Sequence, residues 1–446
     1  MGRLFGTDGV RGVFGRDLTT DLARDLGRAA VVVLRRDADG PLTFVLGRDT
    51  RASGGPLEDA LAEGIRSAGA DVFLAGVQPT PAVAFLTTDL RASAGVVISA
   101  SHNPADDNGI KFFGPYGFKL SDALEDAIEE ELRSGGNGSV RRGRVLPLPG
   151  GERSYLDHVA LAAEAPLDGM RVVVDCANGA ASEATPEALR RLGAEVHPIF
   201  DRPDGRNIND GCGALHPEVV ARAVVELGAD AGLAHDGDAD RAMFADARGN
   251  LIDGDQVLAA CATSLKADGL LEGDTVVTTV MANLGLHQAM DRAGIRVIST
   301  NVGDRYVLEG MLQSGAVLGG EQSGHVIFRQ HATTGDGLLT AVRFLSLAAR
   351  KGVTVAELAS VMRRFPQVLE NVRVERKDEL GSSDAVREAV AAVEADLDGR
   401  GRVLVRASGT EPIVRVMVEA ESEQTAARYV AALAERVRSA LGQPAG

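Results

Sequence analysis

Three aspartates at alternate positions, Asp236, Asp238 and Asp240, follow directly on the apolar run 229–234. In an extended segment that alternation turns all three carboxylates to one side. An all-oxygen donor set suits a hard cation, Mg²⁺ or Ca²⁺. An EF-hand is excluded: with Asp236 opening the loop, Arg241 falls where Gly is required and Ala247 where the closing Glu is required. An acidic surface turn is the plain alternative, but a turn that terminates an apolar strand favours the metal. A second loop complements it. Val96–Ile98 has the character of a buried strand, and Asn103 and Pro104 stop it, which leaves Ser101 at the carboxyl end of a strand, where open α/β sheets bind ligands. A hydroxyl there can carry a phosphoryl group, with His102, Asn103 and nearby amides to orient it. Taken alone, such a stretch is an ordinary turn. Charge links the two loops. Three carboxylates and a phosphoserine of about −1.5 to −2 outweigh one divalent cation, so the site needs further cations. Arg241 and Lys111 are the candidates.

Two more stretches carry functional groups. Glu321, Ser323 and His325 alternate in a Gly-flanked loop, an arrangement suited to gripping sugar hydroxyls, although by themselves they describe a plain loop. Arg406-Ala407-Ser408-Gly409-Thr410-Glu411-Pro412 offers a guanidinium, two hydroxyls and amides around a glycine, the composition of a phosphate nest. Near the start, Phe5-Gly6-Thr7-Asp8-Gly9-Val10-Arg11-Gly12 presents Arg11 among tight turns. Walker A, GxGxxG and HExxH patterns are absent from the sequence, which argues against the usual nucleotide-dependent kinases and dehydrogenases.

Positioning these groups requires several domains, because single cores stop growing well below 446 residues. Strands alternating with helices through residue 365 indicate α/β units with largely parallel sheets. From Pro366 the order changes to strands near 368–375, 402–406 and 413–420 with helices at 381–396 and 422–441. The expected class is α/β: three similar α/β domains followed by a smaller α+β C-terminal domain. Their spans are 1–150 with the serine loop, 151–254 with the metal loop, 255–365 with the sugar loop and 366–446 with the phosphate loop. Local signals predict Thr80 as a helix N-cap, Thr185-Pro186 as a helix start, a hairpin around Gly114-Pro115-Tyr116, a linker over 134–151, and a capping box at Thr354 and Glu357 opening one of the long helices that follow the sugar loop.

Lys and Arg total 47 against 63 Asp and Glu, a net charge of −16 that argues against a nucleic-acid surface. Cys176, Cys212 and Cys261 are odd in number and far apart, with no zinc or disulfide spacing, as in a reducing compartment. Neither a signal-peptide pattern nor an apolar run long enough to cross a bilayer is present, so the expectation is a cytoplasmic protein without a membrane partner. Asn137-Gly138-Ser139 matches a glycosylation sequon by chance in that setting.

Taken together, the four loops resemble those of the α-D-phosphohexomutases. Ser101-His102-Asn103-Pro104 is similar to that family's phosphoserine loop and Asp236–Arg241 to its magnesium loop. Glu321–His325 resembles its sugar loop and Arg406–Pro412 its phosphate loop, in the family's order and across essentially the whole chain. Phe5–Gly12, Asp107–Phe113 and Gly303-Asp304-Arg305-Tyr306-Val307 resemble the bacterial branch that acts on glucosamine phosphates; mutases for neutral hexoses tend to have Gly-His at 303–304. Ala407 and Ala105-Asp106 depart from the usual pattern without removing a functional group. The resemblance implies four domains around a central cleft and an isomerase that interconverts glucosamine 6-phosphate and glucosamine 1-phosphate, feeding amino-sugar nucleotide and cell-wall precursor synthesis. It implies phosphorylation on Ser101, a glucosamine 1,6-bisphosphate intermediate that also serves as activator, and one Mg²⁺ held by Asp236, Asp238, Asp240 and the Ser101 phosphate. Arg241, with Lys111 and His325 moving the hydroxyl proton, completes the catalytic set; Arg11, Glu321, Ser323, Arg406, Ser408, Gly409 and Thr410 bind the substrate. The partner is a small hexosamine phosphate, and a homodimer is compatible. A mutase for neutral hexose phosphates, a metal-dependent sugar phosphatase and a non-catalytic sugar-phosphate sensor are the alternatives.

Overall fold

Short, branched apolar strands that end in Gly- and Asp-bearing loops build the first half of the protein. A computed structural model describes residues 3–6, 8–37, 40–135, 142–408 and 411–442. The first sheet contains β1 (Val10–Val13), β2 (Thr43–Arg48), β3 (Asp71–Val77), β4 (Ala94–Ile98), β5 (Asp107–Phe113) and β6 (Val145–Pro147), in the order β1-β5-β4-β2-β3-β6. β2, β3, β4 and β6 run parallel, whereas β5 is antiparallel to both β4 and β1. Every residue of β4 is buried. A strand covered on both faces accounts for its unbroken apolar sequence. Helices α1 (Thr20–Leu34), α2 (Gly54–Ser67) and α4 (Asp122–Ser134) follow from their amphipathic periods, whereas α3 (Thr80–Asp89) is apolar on most of its surface and largely buried.

The second sheet, in the order β11-β10-β9-β7-β8, is made of β7 (Arg171–Asp175), β8 (Glu195–Ile199), β9 (Ala231–Ala234), β10 (Met243–Asp246) and β11 (Leu251–Ile252). It is accompanied by α5 (Gly151–Ala160), α6 (Ala181–Arg191) and α7 (Pro217–Leu227). The third, in the order β13-β12-β14-β15, has β12 (Thr275–Thr279), β13 (Arg296–Thr300), β14 (Leu318–Gly320) and β15 (Val326–Phe328). Its sequence neighbours are α8 (Gly254–Ala267), α9 (Leu284–Arg292), α10 (Asp304–Ser314), α11 (Gly337–Lys351) and α12 (Val355–Ala359).

By internal contacts the chain divides into two units, Met1–Met281 with Ile295–Val361, and Ala282–Gly294 with Met362–Gly446. The second unit therefore holds α9 together with β16 (Gln367–Arg373), α13 (Asp384–Leu397), β17 (Gly401–Ala407), β18 (Ile413–Ala420) and α14 (Glu423–Leu441). β18 lies between β16 and β17, antiparallel to both. Its core is valine-rich, with Val372, Val414, Val416 and Val418 from the sheet against Val430, Leu433 and Val437 of α14. The change from parallel to antiparallel sheet at Pro366 is as the sequence predicts.

Several local expectations are corrected. The stretch 134–151 is not all linker: β6 forms there and pairs in parallel with β3, although only Val145, Leu146 and Pro147 take part. Thr185-Pro186 lies inside α6, which starts at Ala181. The Thr185 hydroxyl meets His235 Nε2 at 3.0 Å instead of capping. Thr80 does not cap α3; Pro79 holds that position, and the Thr80 hydroxyl donates to Asp238. In both cases a tertiary partner outcompetes the local backbone for the hydroxyl. The turn at 114–117 closes as a hairpin, Gly114 N–H to the Phe118 carbonyl at 2.8 Å, but its return arm is only the bridge Phe113–Lys119. The capping box at Thr354 and Glu357 is present, yet α12 is only Val355–Ala359. The sequon at 137–139 lies outside the described residues.

α1 and α2 cross with their backbones nearly touching. A Cβ on Gly64 would stand 1.9 Å from the Arg24 carbonyl oxygen, a collision with backbone that cannot move aside. Gly64→Ala should therefore destabilise the first unit by about 1–3 kcal/mol, the usual range for overpacking. Thermal unfolding checks this, with Gly55→Ala as the control that should not lower the midpoint, because nothing lies within 4 Å of that position.

Candidate active site

β4 leads into the serine loop. Ser101 is 2% exposed with φ +52°, a left-handed conformation that costs a non-glycine residue energy. Its amide donates to Ser99 Oγ at 2.9 Å. Its hydroxyl donates to Asp236 Oδ2 at 2.6 Å and lies 3.2 Å from His102 Nδ1. The serine loop and the metal loop, far apart in sequence, are thus in direct contact. Burial, followed by the Arg241 and Arg11 charges, lowers the His102 imidazole to about 4, so it is neutral at pH 7.

β9 delivers the metal loop. The three aspartates converge, with ligand-capable oxygens all within 4.8 Å of one another and all three residues buried. They do so by a turn rather than by the extended segment read from the sequence. The Ala239 amide donates to the Asp236 carbonyl at 3.0 Å and Ala239 has φ +56°. Gly237 is needed here, because a Cβ would meet the Ser101 carbonyl oxygen at 2.7 Å. His235, which burial lowers to about 4, buckles the loop: its Nδ1 is 2.7 Å from the Arg241 carbonyl. A carbonyl needs a donor, so Nδ1 carries the proton and Nε2 accepts from Thr185.

Burial and the neighbouring Asp240 and Asp238 push the Asp236 carboxyl far above the usual range; burial and Asp238 also raise Asp240. Burial acts the same way on Asp238, but the Lys111 ammonium and the Thr80 hydroxyl outweigh it and leave Asp238 low. Asp238 Oδ1 and Asp240 Oδ1 are buried without a hydrogen-bond donor. Orphaned carboxylate oxygens in a cluster whose members raise one another's proton affinity are the donor set of a hard divalent cation. The residues present fit such an ion.

The cations expected from the sequence are in place. Lys111, on β5, stands 3.0 Å from both Asp238 and Asp8. Burial would lower its proton affinity, but Asp238 and Asp8 more than reverse that, so it is an ammonium and a donor. Arg241 Nε is 3.7 Å from Asp240 and 3.9 Å from Asp236, buried with no acceptor. Arg11 pairs with Asp8, and its Nε is likewise unpartnered.

The loop between β14 and β15 brings in the sugar-loop residues. His325 Nε2 lies 3.9 Å from both Asp240 and Asp304, and neither ring nitrogen has a hydrogen bond. Ser323 Oγ is also buried and unpartnered, and Glu321 accepts from the Gly303 amide at 3.1 Å. Main-chain bonds lace the loops of the three sheets together: Thr80 N–H to the Asp238 carbonyl, Ala242 N–H to Gly324 and Gly337 N–H to Ala239. Four participants were not read as site residues from the sequence. Asp8 accepts from Lys119 and contacts Lys111 and Arg11; Lys119 bridges Asp8 and Asp304; Thr80 bonds Asp238; His235 holds the metal loop. Asp8 and Asp304 stood within quoted motifs, but single charges carry no sequence signal of their partners.

The phosphate loop belongs to the second unit. Ser408 N–H donates to the Ile413 carbonyl at 2.9 Å, and Lys377 Nζ donates to the carbonyls of Ser408 and Glu411 at 3.1 and 3.2 Å. Arg406 stands directly opposite Arg415 across the β17–β18 ladder. Burial and that second guanidinium lower its proton affinity. Like charges directly opposite destabilise a sheet, and an anion between them would relieve the repulsion. Gly409 and Thr410 lie outside the described residues.

Comparison with known proteins gives the family. Four family models match in succession: phosphoglucomutase/phosphomannomutase alpha/beta/alpha domain I over residues 2–138, domain II over 153–249, domain III over 253–365, and the C-terminal domain over 369–436. A phosphoglucosamine mutase of Pelotomaculum thermopropionicum is 56% identical over 95% of this chain and 96% of its own length. One from Thermobifida fusca is 54% identical over 99% of each. The crystal structure of a phosphoglucomutase/phosphomannomutase family protein from Burkholderia thailandensis superposes with a TM-score of 0.82 at 26% identity, covering 98% of this chain and 97% of that one. The chain belongs to the α-D-phosphohexomutase family of isomerases, with phosphoglucosamine mutases as its high-identity relatives.

Proposed function

We propose that the protein interconverts glucosamine 6-phosphate and glucosamine 1-phosphate through a phosphorylated Ser101 and a glucosamine 1,6-bisphosphate that also serves as activator. The observation that carries the reading is the buried Ser101 hydroxyl at 2.6 Å from Asp236, inside a cluster of carboxylates and cations, in a chain whose high-identity relatives are phosphoglucosamine mutases. In the forward half-reaction the P–Oγ bond of phosphoserine breaks and a P–O bond to the sugar forms. The sugar hydroxyl gives up its proton, and Ser101 Oγ regains one. Lys111, held as an ammonium, donates toward the oxygens that gain charge; the open ring nitrogens of His325 suit acceptance of the hydroxyl proton. Arg241 and Arg11, each with an unpartnered Nε, offer donors to phosphate oxygens. Mg²⁺, when bound at Asp236, Asp238, Asp240 and the Ser101 phosphate, supplies charge that draws electron density from the transferring group.

The remaining assignments belong to the same reading. Glu321 and Ser323 grip the sugar, and Arg406, Ser408, Gly409 and Thr410 bind the phosphate that is not reacting. The four domains span 1–150, 151–254, 255–365 and 366–446. We place the protein in the cytoplasm, which three buried, unpaired cysteines support; among the described residues no helix is long and apolar enough to cross a membrane. A homodimer is compatible, and light scattering reads it out.

Coupled assays on glucosamine, glucose and mannose 6-phosphates test the substrate. The highest kcat/KM is expected on glucosamine 6-phosphate; equal or higher values on a neutral sugar would reassign the specificity. Ser101→Ala should abolish turnover and remove a phosphate-sized mass increment while leaving the fold intact. Added Mg²⁺ at about 100 times its Kd should stabilise the protein by about 2.7 kcal/mol, an increment that Asp240→Asn should reduce. Unchanged melting in chelator and in Mg²⁺ would remove the metal from the account. Arg406→Ala should lower kcat/KM about 100-fold, the loss of a desolvated bidentate contact of roughly 2–4 kcal/mol. Normal kinetics in that variant would take the phosphate loop out of substrate binding.

A further inference from the structure

The Arg51 side chain is completely buried, and each of its five N–H bonds has an acceptor. Nε donates to Asp49 Oδ2 at 2.9 Å. Nη1 donates to the carbonyls of Asp107, at 2.9 Å, and of Pro104. Nη2 donates to the carbonyls of Ser101 and Asn103 at 3.0 and 2.8 Å. Four of the five bonds thus end on main-chain oxygens of the segment 101–107, which carries the nucleophile and enters β5. Asp49 completes the grip from the other side: it accepts from Ser99 Oγ at 2.6 Å, and Ser99 Oγ accepts from the Ser101 amide at 2.9 Å. Asn209 Nδ2 adds donors to the carbonyls of Ser101 and Asn103 at 2.9 and 3.1 Å.

Turning four carbonyls toward one point is unfavourable unless a polydentate donor fills it. Ser101 is also held at φ +52°, a conformation the loop would leave if released. We infer that Arg51 is a positioning residue for phosphoryl transfer: its guanidinium fork, tied to Asp49, sets the position and direction of Ser101 Oγ. The inference rests on the reading that Ser101 carries the phosphoryl group. It also requires the fork itself, because a lysine brings three donors on a point charge and cannot span four carbonyls.

The test compares wild type with Arg51→Lys. The measurements are kcat, the Kd for glucosamine 6-phosphate by calorimetry, the mass increment on Ser101 and the ³¹P resonance of the phosphoserine enzyme. In Arg51→Lys kcat should fall about 100-fold, the effect of a small misplacement of a reacting atom, while Kd is unchanged and the ³¹P resonance moves. A merely structural role would instead lower kcat and binding together with the melting temperature. Should Arg51→Lys fail to fold, Asn209→Asp, which replaces a donor to the same two carbonyls by an acceptor, should reproduce the kcat loss and the ³¹P change at constant Kd. Wild-type kcat and resonance in whichever variant folds, or parallel loss of kcat and affinity, overturns the inference. Wild-type enzyme without phosphate on Ser101 and without turnover overturns the parent reading as well; phosphorylated, active wild type beside an equally active Arg51→Lys overturns this inference alone.

Discussion

Burying three carboxylates within 4.8 Å of one another is the constraint on which the first unit depends. Two like charges about 4 Å apart repel by about 4 kcal/mol at an effective dielectric of about 20. No cluster of this kind persists unless the surroundings are arranged for it. Lys111 answers Asp238 at 3.0 Å, Arg241 stands near Asp236 and Asp240, and Thr80 donates a hydroxyl from α3. Each comes from a different element, so the cluster ties β5, the end of β9 and α3 to one point. The charge pattern then continues outward: Lys111 to Asp8, Asp8 to Lys119, Lys119 to Asp304. What is left over at the cluster, two orphaned carboxylate oxygens and two unpartnered guanidinium Nε atoms, is the part of the charge balance that a cation and phosphate oxygens would complete.

The elements that depend on periodicity were legible in the sequence. The order of strands and helices, the switch to an antiparallel sheet after Pro366 and the loops at the ends of β4, β9 and β14 follow from apolar runs and their punctuation. The failures share a physical cause. Thr80 and Thr185 carry correct local capping signals, and each instead gives its hydroxyl to a residue more than a hundred or about fifty positions away. β6 is too short to show a period, and only its partner β3 makes it a strand. The aspartates were read as an extended row because alternation is what a linear pattern can display. The actual convergence uses a left-handed alanine, which no periodicity announces.

Partner identity was the other illegible quantity. Arg51 stands in Asp49-Thr50-Arg51-Ala52 with nothing to mark it as more than a solvated charge, yet it is the most completely satisfied arginine near the site. The same holds for the Arg406–Arg415 opposition, which exists only once β17 and β18 are in register. Charged residues are informative from sequence when they come in motifs and silent when their partners arrive through the fold.

The left-handed backbone positions show where stability has been exchanged for geometry. Ser101, Ala177, Asn178, Asn209 and Ala239 all have φ between +48° and +59°. Each such residue that is not glycine costs of order 1 kcal/mol or more. They lie on segments that touch: Asn209 bonds the Ser101 carbonyl, the Ala177 carbonyl accepts from the Asn209 amide, and the Gly237 carbonyl accepts from the Ala180 amide. A flexible loop would avoid that cost and let the serine hydroxyl wander. Beyond the serine that carries the group, phosphoryl transfer asks the protein for position and charge rather than for further covalent chemistry. Concentrating strain where the Ser101 loop and the carboxylates meet, and restraining it with a buried guanidinium and a neutral buried histidine, is the arrangement that chemistry of this kind would require.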